Sequence, residues 1–173
     1  MFATLYLPNF YLQAALRHSP EVADTPVALI DDQAAKAVII QLNPAAEAAG
    51  IYAGMTPSQG LARCLQLVVK TRVRTQEKAI EQIVLQLAYS LSPFIEATGP
   101  GLCTIEFTDV KQISTRVSAV IEQLAKLEIQ AQAGIAHTAD ASLLVAHLAK
   151  PVLQIGDAKT FLASLPIETL AQI

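Results

Sequence analysis

Residues 75–92, TQEKAIEQIVLQLAYSLS, carry apolar side chains at 79, 80, 83, 84, 87 and 88. That spacing predicts an amphipathic helix with one buried stripe. PFIEAT (93–98) and LCTIEFT (102–108) read as strands joined by a Gly99-Pro100-Gly101 turn. VKQISTRVSAVIEQLAKLE (110–128) is a second amphipathic helix, and IQAQAGIA (129–136) a strand. From residue 75 the order is therefore α-β-β-α-β. With FATLYLP (2–8) as a first strand it becomes βαββαβ, the split βαβ sandwich of ferredoxin-like folds. The predicted class is α+β: a ferredoxin-like layer with a small α/β insertion over about residues 10–72.

Within the insertion, FYLQAALRHS (10–19) reads as a helix, and TPVALIDD (25–32) and KAVIIQLN (36–43) as buried strands. Pro44 opens a short helix that Gly50 closes. Thr56 caps a further helix with Pro57 at its first position, and LQLVVKTRV (65–73) is a strand. After the second strand-rich block, TADASLLVAHLAK (138–150) is a helix that Pro151 ends. PVLQI, GDAKTFLASL and PIETLAQI follow as a strand and short helical pieces.

Composition bounds the function. The chain is 53% hydrophobic but only 5% aromatic, without Trp, so its core is built mainly of Leu, Ile, Val and Ala. No apolar run is long enough to span a membrane, and MFATLYLPNF lacks the basic leader of a secretory signal. Cys64 and Cys103 have neither metal-type spacing nor a disulfide framework, which predicts reduced, buried thiols in a cytoplasmic protein. His18, His137 and His147 stand without a paired carboxylate, as surface or capping residues. The formal net charge of −3 argues against strong nucleic-acid binding, which depends on phosphate contacts. One local exception is VVKTRVRTQEK, where alternation would set Lys70, Arg72 and Arg74 on one strand face with Lys78 nearby. These four are the candidate nucleic-acid contacts; the other reading is a solvated strand edge.

Several segments together resemble the Y-family (UmuC/DinB-like) DNA polymerases. GIYAGMTPSQGLARCLQLVV (50–69) resembles the family's fingers pattern, preceded by the strand TPVALIDD. LSPFIEATGPGLCTIEFTD (91–109) resembles the entry to the palm hairpin, and GIAHTADASLLVAHLAKP (134–151) the last palm strand and helix. SLPIETLAQI (164–173) resembles the approach to the thumb. The resemblance implies a palm over 1–9 and 73–151, fingers over 10–72, and the start of a thumb at 152–173.

It also implies a polymerase site held by carboxylates on two Mg²⁺ ions. This sequence departs from that pattern. The family's first Asp falls on Tyr6, and its Asp-Glu pair on Gly101 and Leu102, with IEFT (105–108) setting the register. The Tyr and Arg of the triphosphate clamp fall on Pro44 and Glu47, and a lysine pair on Ala139 and Leu143. Tyr11, beside Phe10, matches the aromatic gate of the nucleotide pocket; the alternative is that both rings only pack. Glu106 and Asp109 are the acids left near the hairpin, and a relocated metal site would need them.

The implied role is that of a catalytically degenerate, ImuB-like homologue: an adaptor in SOS-type, damage-induced mutagenesis. No cofactor is expected, with Mg²⁺ only for an active polymerase whose acids have moved. Expected partners are mutagenesis-complex proteins and a sliding clamp, met through regions outside this segment. Damaged or primed DNA is expected to bind weakly through the segment alone, and a membrane not at all. The setting implied is the bacterial cytoplasm, at the nucleoid when the protein acts. The remaining alternative is an unrelated ferredoxin-like interaction module.

Overall fold

A computed structural model describes residues 1–19, 22 and 25–166. The chain forms two compact units, Met1–Pro8 with Glu81–Ile173, and Asn9–Ile80.

The first unit is built on a five-stranded sheet. Its strands are β1 (Phe2–Tyr6), β5 (Ile95–Gly99), β6 (Leu102–Glu106), β7 (Gln132–Ala136) and β8 (Val152–Gln154), in the order β5-β6-β1-β7-β8. β1 lies antiparallel between β6 and β7. That is the ferredoxin-like arrangement read from the sequence, with β8 added parallel to β7. The crossover to β8 is helix α6 (Ala139–Leu148), capped by Thr138, whose hydroxyl accepts the Ala141 N–H.

Strand alternation sorts the side chains of this sheet. Ala3, Leu5, Ile105 and Ile135 form one fully buried row. It faces the layer of α5 (Ile113–Lys126), whose Val117, Val120, Ile121 and Leu124 are buried. The other row, Thr4, Thr104 and Gly134, is on the α6 side. Thr4 Oγ1 lies 2.7 Å from Ser142 Oγ and 3.2 Å from Thr104 Oγ1. Gly134 has no room for a side chain, since a Cβ there would come within 2.2 Å of Ala146 N and Ser142 O. This glycine lets the helix lie directly on the sheet.

Sequence reading puts the start of a thumb at residue 152. In the structure Val152–Gln154 are β8, and Ala158–Ala163 form α7, whose Phe161 packs on the cluster of Ala136, Ala141, Val145 and Ile155. The helical piece expected in PIETLAQI falls, from residue 167 on, outside the described residues.

The second unit holds a three-stranded sheet in the order β3-β2-β4, from β2 (Val27–Ile30), β3 (Ile39–Leu42) and β4 (Val68–Thr71). β2 is the central strand and reads as a continuous apolar run because both its faces are covered. Val27 and Leu29 pack with Leu12 of α1 (Phe10–Leu16). Ala28 packs on the other side with Ile39, Leu42, Ala46, Ile51, Met55 and Leu67. Helices α2 (Pro44–Ala48) and α3 (Pro57–Arg63) start where proline and cap residues predict. Asn43 Oδ1 accepts from Ala46 N and from Val27 N, and Thr56 forms a reciprocal capping box with Gln59. The 18-residue helix α4 (Arg74–Leu91) contains the division between the units. Among the described residues, no helix is long and apolar enough to cross a membrane.

Candidate functional site

The three positions that sequence reading assigns to lost carboxylates come together. Tyr6, the last residue of β1, is paired with Leu102, the first of β6. Gly101 precedes Leu102 in the hairpin turn, is buried, and has φ +70°. Its carbonyl accepts the Leu7 N–H at 2.9 Å. A glycine meets the turn's left-handed geometry without a Cβ penalty.

Tyr6 does not stand alone. Its ring lies 3.9 Å, centroid to centroid, from the imidazole of His147 in the last turn of α6. This corrects the reading of His147 as a surface or capping residue. The imidazole is half-buried against β1 at the C-terminal end of α6. Burial pushes the Tyr6 phenol above its ordinary pKa and the His147 imidazole below its own. Both causes favour the neutral forms, so the position holds an uncharged aromatic pair. Mg²⁺ binding needs clustered anionic oxygens. Tyr6, Gly101 and Leu102 do not fit it: one ring is stacked, one residue has no side chain, and one is apolar.

Glu106 lies on the face of β6 shared by Leu102 and Thr104, as strand alternation predicts, opposite Phe2. It is exposed at the far end of the strand. Asp109 is exposed in the following loop, and its carboxylate accepts the Lys111 N–H. Among the described residues, no group of three or more His, Cys, Asp or Glu is placed to hold a metal ion. Cys103 is buried in β6, and burial pushes its thiol up to about 11, so it stays protonated and inert near neutral pH.

In the second unit, Pro44 and Glu47 occupy the first turn of α2. Proline suits that place, and an acid there complements the helix dipole. Both residues thus have a helix-starting role, and both are exposed. Ala139 and Leu143 lie on α6 of the first unit and offer no cation.

The basic cluster differs from its sequence reading. Lys70, Arg72 and Arg74 do not share one strand face: β4 ends at Thr71 and Arg74 opens α4. Arg72 turns inward. Its Nε and Nη2 donate to the two Glu77 oxygens at 2.9 and 2.6 Å, and Nη1 donates to Asp31 at 3.0 Å. Arg74 donates to the other Asp31 oxygen at 2.9 Å. The reason is topological. β2 and β4 are parallel, with Ile30 opposite Thr71, so Asp31 emerges beside Arg72. Arg72 and Arg74 are therefore neutralised within the chain. Asp31 is held below the usual carboxylate range, first by the Gln33 N–H and then by Arg74 and Arg72. Lys70 is partly exposed and Lys78 exposed, neither in an ion pair among the described residues.

Tyr11 is partly buried against the cluster of Leu12, Val27 and Leu29. The Arg72 guanidinium sits over its ring, 3.8 Å from the centroid, and Phe10 is tilted against it at 5.3 Å. The proposed gate aromatic is thus enclosed by a fixed cation and a second ring.

A family model described as the impB/mucB/samB family (IMS) matches residues 5–147. The chain belongs to this family. Among curated proteins it is similar to DNA polymerase IV of Legionella pneumophila (strain Corby), 25% identical over 171 residues, covering 93% of this chain and 48% of that protein. It is also similar to DNA polymerase IV of Mannheimia succiniciproducens, 22% identical over 170 residues, with 93% and 48% coverage. Among solved structures, a post-insertion binary complex of Dbh DNA polymerase superposes with TM-score 0.85 at 16% identity, covering 97% of this chain and 52% of that one. DinB from Sulfolobus solfataricus gives TM-score 0.84 at 16% identity, with the same coverage. The fold is therefore that of the Y-family palm and fingers. The chain spans about half the length of the curated relatives it matches.

Two features of this family member were missed in the sequence: the Tyr6–His147 stack and the Asp31–Arg72–Glu77 clamp. The paired residues lie 141 and 41 positions apart in the first two contacts and only five in the third, Arg72 to Glu77. That last spacing, across a strand end and a helix start, is the one signal that could have been read.

Proposed function

We propose that the chain is the polymerase-like part of a non-catalytic Y-family member of ImuB-like character, an adaptor in damage-induced mutagenesis and translesion synthesis. The observation that carries this reading is the place where Tyr6, Gly101 and Leu102 converge: it offers a neutral stacked ring pair instead of carboxylates. The clamp positions support it, because Glu47 would repel a triphosphate and Pro44, Ala139 and Leu143 cannot neutralise one. Such a protein keeps the shape and surfaces of a polymerase while its chemistry is supplied by another. Its partners in this reading are primed or damaged DNA, bound weakly here, and a sliding clamp and mutagenesis-complex proteins, bound through other regions. The setting is the bacterial nucleoid.

The test is primer extension by the longest natural chain that contains this segment, with Mg²⁺ and with Mn²⁺, beside primer–template binding. Binding without extension is the expected result. Extension that is lost in Glu106→Ala or Asp109→Ala would establish a relocated metal site and overturn the proposal.

A further inference from the structure

Helix α5 carries its apolar stripe past the point where the fold covers it. Val117, Val120, Ile121 and Leu124 are buried, and Leu127 falls next in the same register, yet Leu127 is 44% exposed. The helix stops there. Glu128 turns left-handed with φ +59°, and the buried Ile129 donates its N–H back to the Leu124 carbonyl at 3.0 Å. This closure holds Leu127 at the surface between two exposed charges, Lys126 and Glu128.

Beside this knob the surface of the same unit is hollow. A cavity of about 720 Å³ opens between the C-terminal half of α5, the turn into β7 and the residues before β8. Its apolar lining includes Ile121, Ala125, Ile129 and Pro151. Glu122 borders it on α5 and Lys150 on the approach to β8. Both are exposed, and neither makes an ion pair among the described residues. The hollow therefore suits an apolar side chain with a cation on one flank and an anion on the other. Lys126-Leu127-Glu128 is such a segment, and it lies at the edge of the hollow itself. A nucleic-acid strand does not suit it, because Glu122 and Glu128 would face the phosphates.

We propose that this face is a contact between two copies of the chain. A knob and a hollow side by side on one surface are what a two-fold, self-complementary interface needs, since each copy gives and receives the same contact. Leu127 of each copy enters the hollow of the other. Lys126 meets Glu122 of the second copy, and Glu128 meets its Lys150. The contact is small next to the about 800 Å² per partner of a standard interface, so the dimer is weak, with a dissociation constant of about 10–100 µM. It does not depend on whether the protein polymerises.

The experiment is sedimentation equilibrium of the 173-residue chain and of the longest natural chain containing it. The parent is expected to show a monomer–dimer equilibrium. Leu127→Ser weakens it at least about tenfold, as loss of a central anchor does. Lys126→Glu and Glu122→Lys each weaken it too, by setting like charges against each other across the axis. Mixing these two variants restores a dimer, because in the mixed pair each position 126 again faces an opposite charge at 122. Changes confined to one helix cannot produce that rescue. Circular dichroism checks that the variants fold; all three positions are exposed. A monomer in either chain up to about 1 mM, parental dimerisation by Leu127→Ser, or a mixture of the two charge variants that stays monomeric would each overturn the proposal.

Discussion

Arg72 joins three elements of the second unit, and its replacement by methionine should be costly out of proportion to its place near the surface. The substitution removes two charge-assisted hydrogen bonds to Glu77 and strands that carboxylate, which is only 6% exposed. Breaking one side of a fully buried pair costs about 3–5 kcal/mol. The Arg72 and Glu77 side chains are 18% and 8% exposed, so water relieves part of this, and about 2–3 kcal/mol remains. Loss of the guanidinium over Tyr11 adds about 0.5–1 kcal/mol. The sum is about 3 kcal/mol, which for a chain of this size lowers Tm by roughly 6–12 °C. The assay is thermal and urea unfolding of the parent, Arg72→Met, Glu77→Gln, and the double variant carrying both. The double variant should recover about 1 kcal/mol or more, because it no longer buries a lone charge. A loss under about 0.5 kcal/mol for Arg72→Met would mark the clamp as an ordinary surface pair and refute the reasoning. So would a double variant as unstable as the sum of its parts. In the same samples Arg72→Met should leave the salt slope of DNA binding unchanged, since its charge is already used.

Four further outcomes are expected. The lowered pKa of His147 means that the unfolded chain takes up a proton first as pH falls through about 6.5; stability should therefore fall from about pH 7 toward the lower folded pKa, and His147→Phe should flatten that dependence in pH-resolved urea titrations. Tyr6 gives the opposite limb: its raised pKa contributes stability that is present below about pH 10 and lost as pH climbs through the folded value, an effect Tyr6→Phe should abolish. Gly134→Ala should cost at least about 3 kcal/mol, or leave no folded protein on expression, because its Cβ meets α6 backbone that cannot move aside alone. Asn43→Ala should cost about 2–3 kcal/mol in urea unfolding, since Asn43 Oδ1 serves both the α2 N-terminus and β2 Val27, and its Nδ2 donates to Thr25 O.

The order of elements was legible because helix and strand periods act locally. The apolar stripe at 79, 80, 83, 84, 87 and 88 needs no tertiary information to predict α4, and Thr56-Pro57 marks the start of α3 by capping chemistry alone. Ends were less legible. Helix α5 begins at Ile113 and not at 110, because Asp109 closes a turn onto Lys111 and Gln112 takes a left-handed conformation. Strand β7 begins at Gln132 and not at 129, after Glu128 makes a left-handed turn and Ile129 is buried.

By itself the sequence determined the ferredoxin-like order and the inserted α/β unit, since each follows from residue type and spacing along the chain; the positions lacking carboxylates were implied by the family resemblance. Tertiary structure decided what those residues do. It alone brings Tyr6 onto His147 and turns Arg72 and Arg74 from a basic strand face into an internal clamp. The reason is that charge neutralisation and ring stacking act through space over a few ångströms, between residues whose separation along the chain carries no record of the contact.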